Sequence, residues 1–235
     1  MEVVIGVAKI KKYATQSSGD TVEAVERPQG GVSVVLADGQ SSGQGAKTIS
    51  NMVVRKVISL LAEGVRDGAA ARAASDYLFN ERRGKVSSTL NILSVDRQTS
   101  TLVITRNNPV PALLARHDEI TVLGETSLPV GLYRDTRPVI FELPLEPGLT
   151  AVAYSDGLVS AGSRQGQAID VPTYLQAFLE DEDPSAQEIA DSLLEDAIKL
   201  DQGRPTDDIS VIVLRVSSRK GDLVRRMTVR LPLDE

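Results

Sequence analysis

Apolar and polar positions alternate with a period of two in residues 21–27, and residues 32–38 form a run of strand-forming side chains. The Pro-Gln-Gly-Gly sequence at residues 28–31 is a strong turn signal, so the two segments are predicted to form a β-hairpin. With the turn centred on its second residue, the numbers of opposed residues sum to 58. Asp20 and Asp38 are therefore expected to face each other, with Cβ atoms about 4.5–5.5 Å apart.

A helical period replaces this alternation in four other segments. The first of them carries Ile49, Val53 and Val57 on one face, and a short link leads to an alanine-rich segment. Helices are predicted over residues 46–62, 68–82, 172–180 and 185–201. Ser185 and Glu188 have the spacing of a capping box at the start of the last helix.

Short apolar segments between turn signals indicate further strands. They are predicted at residues 2–12, 86–95, 102–106, 111–116, 120–123, 139–143, 149–156 and 209–216. The five strands between residues 86 and 143 are typical of an antiparallel meander, and residues 227–233 could add a strand or serve as an interaction tail. Strands interrupted by two pairs of helices favour an α+β fold in which helix pairs cover two antiparallel sheets.

The composition of the chain excludes several classes of function. The 235 residues fit one large domain or two small ones, and a net charge of −6 argues against a nucleic-acid-binding surface. The lack of cysteine excludes disulfides, thiolate zinc sites and a cysteine nucleophile. The single histidine, His117, argues against His-rich metal sites and Ser-His-Asp triads, and its predicted turn favours an exposed imidazole without a chemical role.

The chain shows no sign of a membrane or export segment. No stretch reaches the roughly 18 apolar residues of a membrane span. The N-terminal apolar run is too short for a signal peptide and carries its lysines on the wrong side. We therefore expect a soluble protein of the cytoplasm that binds neither membranes nor nucleic acids.

Four aspartates are placed at predicted strand ends. Asp38 and Asp156 lie where strands end, whereas Asp20 and Asp207 lie just before strands begin. In antiparallel sheets these positions meet at one edge, and oxygen ligands without Cys or His suit Mg²⁺ or Mn²⁺. The alternative is that each Asp-Gly pair is ordinary turn chemistry. The residues alone leave both interpretations open.

The acidic motifs also occur in a characteristic order. They are Gly19-Asp20, Ala37-Asp38-Gly39 with Gly43 and Ala46, Tyr154-Ser155-Asp156-Gly157, and Asp207-Asp208-Ile209-Ser210. With residues 108–114 and 128–132, they resemble the protein phosphatase 2C-like metal-dependent family. The resemblance is strongest to the bacterial branch typified by stage II sporulation protein E and the stress-response phosphatases, and it covers roughly residues 5–216.

The resemblance implies a four-layer α/β/β/α sandwich and a site with two Mn²⁺ or Mg²⁺ ions. It implies that a water activated by the ions hydrolyses phosphoserine or phosphothreonine in a protein. Asp38 would bridge the two ions, and the Gly39 carbonyl would add an oxygen. Asp20 would serve one side of the site, and Asp156 with Asp207 would serve the other.

The resemblance also assigns supporting parts. Asp208 stands where the family has Asn or Asp, so it ranks below Asp207 as a metal ligand. The helix pair at about residues 44–82 is implied to be a regulatory element that helps order the metal site. Residues 1–216 would be the catalytic domain and residues 217–235 a C-terminal extension.

The loop after Asp38 departs from the family pattern. Ser41 stands where the family has glycine, and Ser42 where it often has His or Ser. Gln40 stands where the animal enzymes have a histidine suspected to be a general acid. Candidates for contacts to phosphate, by loop position alone, are Lys11, Lys12 and Arg204.

The leading hypothesis is a serine/threonine protein phosphatase that acts on a phosphorylated regulator. The branch implies an anti-sigma factor antagonist as the substrate. A second hypothesis is a phosphatase-like binding module with little turnover, which the altered loop supports. A third, a hydrolase of small phosphoesters, has no nucleotide or sugar motif to support it. Self-association could use the helix pair 44–82 or the C-terminal tail.

Overall fold

The computed structural model describes residues 1–116, 119–181, 183–218 and 222–233, so His117 lies outside the described residues. The strands within them are β1 (Glu2–Ile10), β2 (Asp20–Glu26), β3 (Val32–Gly39), β4 (Ser88–Asp96), β5 (Thr101–Asn107), β6 (Ala112–Arg116), β7 (Glu119–Leu123), β8 (Val139–Pro144), β9 (Thr150–Tyr154) and β10 (Ile209–Ser217). The helices are α1 (Gly43–Ala62), α2 (Asp67–Arg82), α3 (Asp156–Ser160), α4 (Val171–Asp181) and α5 (Ala186–Leu200), with a 3₁₀ turn at Ser163–Gln165.

The strands form two antiparallel sheets of five strands each. One sheet has the order β1-β10-β9-β6-β7, and the other has the order β2-β3-β4-β5-β8. The predicted β2–β3 hairpin is confirmed in its register, because Asp20 pairs with Asp38. The turn residues Pro28–Gly31 therefore fix which side chains meet at the far end of the hairpin.

The sheets stack face to face between the two helix pairs, which confirms the α/β/β/α sandwich. Leu36 and Leu214 are buried between the sheets. Val53 and Leu78 are buried between α1, α2 and one sheet, and Leu193 is buried between α5 and the other sheet. Each buried side chain of this size contributes about 1.5–3 kcal/mol. Strand β3 is covered by apolar side chains on both faces of its sheet, which explains why most of its residues are apolar.

The predicted antiparallel meander between residues 86 and 143 is wrong. Strand β5 pairs with β8, whereas β6 pairs with β7 and β9 in the other sheet. The chain crosses between sheets after β5, where the buried Arg106 donates hydrogen bonds from Nη2 to the carbonyls of Asn108 (2.9 Å) and Val110 (2.8 Å). Asn108 in turn donates from Nδ2 to the carbonyl of Tyr154. These bonds satisfy backbone groups that strand pairing would otherwise satisfy.

Helix boundaries agree with the predicted ones within a few residues. The capping box is confirmed, since Ser185 Oγ accepts from the Glu188 N–H and the Glu188 carboxylate accepts from the Ser185 N–H. Helix α1 begins at Gly43, three residues before the predicted start. The loop after Asp38 is therefore short, because only residues 40–42 separate β3 from this helix.

The C-terminal segment forms no strand in its described part, residues 222–233. It contacts the β2–β3 turn, where Arg225 Nη2 donates to the Gly30 carbonyl at 2.8 Å and Arg225 Nη1 lies 3.2 Å from Glu26 Oε1. No helix in the described ranges is both long and apolar enough to cross a membrane.

Candidate metal centre

Asp20 and Asp38 lie side by side at one end of the β2–β3 hairpin. Asp20 opens β2 and is fully buried. Asp38 lies one residue before the end of β3, is half-buried and lines a cavity of about 460 Å³. On its other side Asp38 pairs with Thr89 of β4, which lines the same cavity. The hairpin and its neighbouring strand therefore form one wall of the cavity.

Gly39 also lines the cavity, and its lack of a side chain is required there. A Cβ at this position would lie 2.0 Å from the carbonyl oxygen of Ala46 in the first turn of α1. The end of β3 and the start of α1 can therefore approach closely only with glycine. This packing places the helix directly behind the Asp38 backbone.

The opposite wall comes from the second sheet. Strand β9 ends at Tyr154, and Asp156 follows as the first residue of α3 rather than as the end of the strand. Asp207 lies two residues before β10, which pairs with β9. Asp156 and Asp207 both line the cavity with Asp38. Of the four acids predicted to gather at one edge, the structure brings Asp38, Asp156 and Asp207 to one cavity between the two sheets, whereas Asp20 is buried beside Asp38 and does not line it.

Asp208 has a different environment. Its Oδ1 accepts from the Lys12 N–H at 2.9 Å, and its Oδ2 accepts from the Gly19 N–H at 2.8 Å. Both residues line the cavity, but Asp208 is only 4% exposed, whereas Asp207 is half-buried. Asp208 therefore holds the loop between β1 and β2, and Asp207 is the freer of the two carboxylates.

The carboxylates strongly perturb one another. Burial, followed by the charges of Asp20, Asp156 and Asp207, raises the pKa of Asp38 to about 9. Burial raises the pKa of Asp20 to about 6, although Ser210, Ser155 and Lys9 lie nearby and oppose the shift without forming a hydrogen bond to the carboxylate. Burial and the charge of Asp207 also raise the pKa of Asp156. Carboxylic acids that lie this close together can all be ionised only when a cation lies among them.

The residues present fit a hard cation. Both carboxylate oxygens of Asp20 and the hydroxyls of Thr89 and Ser210 are buried without hydrogen-bond partners in the described chain. Such oxygens are costly to bury unless something binds them. Within the described residues no three acidic side chains enclose an ion by themselves. Mg²⁺ and Mn²⁺ suit this arrangement, because they retain several waters and need few carboxylates.

Helix α1 holds the Asp20 segment from behind. Lys47 Nζ donates to the Asp20 carbonyl at 2.7 Å, and Lys9 Nζ from β1 donates to the same oxygen at 2.5 Å. Ser50 Oγ donates to the Gly19 carbonyl at 2.5 Å. The position of the Asp20 backbone therefore depends on the first two turns of α1.

The loop after Asp38 forms the rim of the cavity. Gln40 Oε1 accepts from the Ser87 N–H at 2.9 Å, so the amide is engaged by the residue that precedes β4. Ser41 has φ +83°, a left-handed conformation that favours glycine. Ser41 therefore differs from the family's glycine in its side chain, whereas its backbone keeps a conformation that is typical of glycine.

One basic side chain lines the cavity, that of Lys12, with Nζ 4.0 Å from Asp207 Oδ1. Of the other two candidates, Arg204 lines a separate cavity and Lys11 lines neither. Thr89 is a residue of the cavity wall that the sequence pattern does not single out. The register of β4 against β3 places Thr89 opposite Asp38, and no local turn signals it, because the helix pair α1–α2 separates these two strands in the sequence.

Residues 28–217 match the family described as stage II sporulation protein E. The chain is 25% identical over 215 residues to stage II sporulation protein E of Bacillus subtilis (strain 168), covering 91% of this chain. The match spans 26% of that relative's length, so most of the relative lies outside the similarity.

Solved structures share the fold. The phosphatase domain with a regulatory fragment of stage II sporulation protein E from Bacillus subtilis superimposes with a TM-score of 0.80 at 22% identity, covering 94% of this chain and 64% of that one. The catalytic domain of the serine/threonine protein phosphatase PstP, in complex with two manganese ions, superimposes with a TM-score of 0.69 at 18% identity. That match covers 92% of this chain and 99% of the other.

Proposed function

The chain belongs to the stage II sporulation protein E family of protein phosphatase 2C-type proteins, and from this membership we propose that it is a metal-dependent serine/threonine protein phosphatase. The observation that carries the proposal is Asp38, half-buried in a cavity wall with a pKa raised to about 9 by burial and three other carboxylates. That arrangement favours a bound divalent cation over an ordinary turn.

We propose that two Mn²⁺ or Mg²⁺ ions occupy the cavity. Asp38, Asp20, Asp156 and Asp207 would hold them, and the Gly39 carbonyl would supply a further oxygen. When bound, two such ions lower the pKa of water to yield a nucleophile at neutral pH and neutralise charge on a phosphoryl group. The two-manganese PstP catalytic domain, which has the same fold, supports this assignment.

Asp207 is the proposed direct ligand of the Asp207-Asp208 pair. Both oxygens of Asp208 already accept backbone N–H groups, from Lys12 and Gly19. Those bonds position Asp207 indirectly, because they fix the segment on which it lies.

The remaining lining residues suit a phosphate ester. Lys12 would attract the phosphoryl group and orient it, since its ammonium lies beside the carboxylates. Ser88 Oγ donates to the Asp38 carbonyl at 2.7 Å and fixes the backbone at the cavity wall. Gln40, bonded to Ser87, holds the rim and provides no acidic proton at neutral pH.

The proposed substrate is a phosphoserine or phosphothreonine protein, with an anti-sigma factor antagonist as the candidate that the family branch favours. The cavity opens at the surface beside Gln40 and Ser41, so a phosphorylated residue on a loop or terminus can enter it. We propose that the helix pair α1–α2 regulates this site, because Lys47 and Ser50 hold the Asp20 segment.

Residues 1–216 form the proposed catalytic domain, and residues 217–235 a C-terminal extension that is the better candidate for self-association. Among the described residues of the helix pair, one large apolar side chain is exposed, that of Tyr77. The tail exposes Leu223, Val224, Met227, Val229, Leu231 and Leu233. Light scattering should show a dimer that dissociates when the chain ends at Ser217, and a monomer at full length would exclude it.

The test of the proposed function is a titration with Mn²⁺ that follows binding and turnover together. Calorimetry should show Mn²⁺ binding, and hydrolysis of p-nitrophenyl phosphate and of a phosphoserine protein should rise with the bound fraction. The second candidate, a binding module, is favoured by the engaged Gln40 and the left-handed Ser41. Binding of Mn²⁺ and phosphoprotein without turnover would establish the module instead.

A further inference from the structure

A second cavity of about 430 Å³ lies beside the carboxylate cavity, and two arginines line it. The complete set of its lining residues is Arg164, Gln165, Asp201, Gln202, Arg204 and Thr206. All six are polar or charged, and four of them are exposed at the surface. The cavity therefore has the chemistry of a binding site for a polar ligand.

The two cavities are built by the same two segments of chain. Thr206 lines the second cavity, and the next residue, Asp207, lines the first. On the other wall, Arg164 lies in the 3₁₀ turn shortly after α3, the helix that Asp156 opens. The linings of the two cavities are therefore adjacent along the chain at Thr206 and Asp207.

Asp201 joins the two segments through hydrogen bonds, and within the described chain it forms no ion pair with either arginine. It is 3% exposed, and its Oδ1 accepts from the Gly162 N–H at 2.9 Å. Its Oδ2 accepts from the N–H and the hydroxyl of Thr206, at 2.7 and 3.1 Å. The buried carboxylate is thus satisfied by these donors. Among the described residues, neither Arg164 nor Arg204 forms an ion pair with any carboxylate.

Arg204 is also held in place by an aromatic ring. Its guanidinium lies 5.4 Å from the centroid of Tyr13, a cation–π contact. The Tyr13 N–H donates to the Pro205 carbonyl at 2.9 Å, and the preceding residue, Lys12, lines the carboxylate cavity. Three cations, Lys12, Arg204 and Arg164, therefore lead from one cavity to the other on a chain with net charge −6.

We propose that the second cavity binds an acidic side chain of the substrate, a carboxylate or a second phosphate, close in sequence to the phosphorylated residue. Two guanidinium groups match either anion through paired N–H donors. The inference rests on the proposed phosphatase function and adds sequence specificity to it. Arg164 and Arg204 would be specificity-determining residues that contact the substrate away from the reacting phosphate.

The test measures peptide affinity, so that it does not depend on turnover. Peptides carry the non-hydrolysable phosphonate analogue of phosphoserine, and a single Glu in a neutral background is moved through every position within about five residues, or about 17 Å of extended chain. Calorimetry with Mn²⁺ present compares each peptide with its Gln counterpart. The proteins are the wild type, Arg164→Gln, Arg204→Gln, and the control Arg72→Gln on the exposed surface of α2.

The wild type and Arg72→Gln should bind the Glu peptide about five- to tenfold more tightly than the Gln peptide at one or two neighbouring positions. Arg164→Gln and Arg204→Gln should each reduce that ratio towards one. Replacing the favoured Glu by phosphoserine distinguishes the two anions, because a cavity for a second phosphate should bind it more tightly than Glu.

Equal affinity for Glu and Gln peptides at every position, or no peptide binding at all, would overturn the inference. A Glu preference that survives both arginine substitutions would also overturn it. Failure of the proposed function would appear separately, as the absence of Mn²⁺-dependent hydrolysis of p-nitrophenyl phosphate by the wild type. A Glu preference in that case would place the acidic-residue cavity on a binding module.

Discussion

Asp20 and Asp38 are directly opposed across the β2–β3 pair, one fully buried and the other facing the cavity. Two carboxylates in neighbouring strands repel, and the repulsion adds to the cost of their burial. The opposed pair therefore stores unfavourable electrostatic energy in the metal-free chain, which a bound cation would convert into affinity.

The stability of the metal-free protein should fall as the pH rises. Folding raises the pKa of Asp38 from 3.8 to about 9 through burial and the charges of Asp20, Asp156 and Asp207. The folded state thus binds more protons than the unfolded state between about pH 4 and pH 9, and the free energy of unfolding decreases across that window. Urea unfolding in EDTA at a series of pH values measures this decrease.

Asp38→Asn is the control for that experiment. The variant cannot ionise at residue 38, so its advantage in stability over the wild type should grow from pH 4 towards pH 9. An advantage that stays constant or shrinks with pH would show that Asp38 is not the group responsible.

Ser41→Gly should stabilise the protein by up to about 1 kcal/mol. Ser41 has φ +83°, where a side chain is strained and glycine is not. Ser42→Gly is the matched control, because Ser42 is extended, with φ −142°, and makes no capping bond. It should be neutral or slightly destabilising. Chemical denaturation of both variants measures the difference, and a destabilised Ser41→Gly would contradict the assigned strain.

Asp207 and Asp208 should respond differently to truncation. Asp208→Ala removes the acceptor of two backbone N–H groups, one buried and one partly buried, and should cost about 3 kcal/mol of unfolding free energy. Asp207→Ala should leave stability within about 0.5 kcal/mol and weaken Mn²⁺ binding by more than about tenfold. Calorimetry and urea unfolding on both variants separate the roles. The reverse pattern would make Asp208 the ligand.

The ion pair of Arg27 and Asp67 should be important for the attachment of the helix pair. Both side chains are less than a tenth exposed, and Arg27 Nη1 lies 2.7 Å from Asp67 Oδ2. Arg27→Met should cost about 3–5 kcal/mol, because it leaves Asp67 buried without its partner. The double variant Arg27→Met with Asp67→Leu should recover much of that loss in denaturant unfolding. Arg72→Met, at an exposed position of α2, should have little effect.

The sequence predicts the layers of this fold better than its connections. The turn at Pro28–Gly31 sets the pairing of Asp20 with Asp38, because a two-strand register depends only on local turn geometry. The crossing after β5 depends on the buried Arg106 and its bonds to two carbonyls. An arginine inside an apolar strand gives no such signal in advance, so the meander was the simpler prediction.

The candidate site, like the fold, was predictable from the sequence only where the signals are local. The four acids at strand ends were recognisable, since Asp-Gly pairs and strand periodicity are local signals. The lower rank of Asp208 as a metal ligand followed from the resemblance, but its hydrogen bonds to the loop between β1 and β2 were not recognisable, because Lys12 and Gly19 approach it across more than 180 residues of sequence. The second cavity likewise depends on Asp201 joining two loops that are distant along the chain.

The central claim is that Asp38 binds metal ions and that the protein uses these ions to hydrolyse phosphoserine. The most direct measurement is Mn²⁺ calorimetry with phosphoserine-protein hydrolysis on the wild type, Asp38→Asn and the control Asp191→Asn, an exposed carboxylate of α5. The wild type and Asp191→Asn should bind Mn²⁺ and hydrolyse the substrate, whereas folded Asp38→Asn should lose detectable turnover and most of its affinity for Mn²⁺. Unchanged turnover in folded Asp38→Asn would contradict the claim.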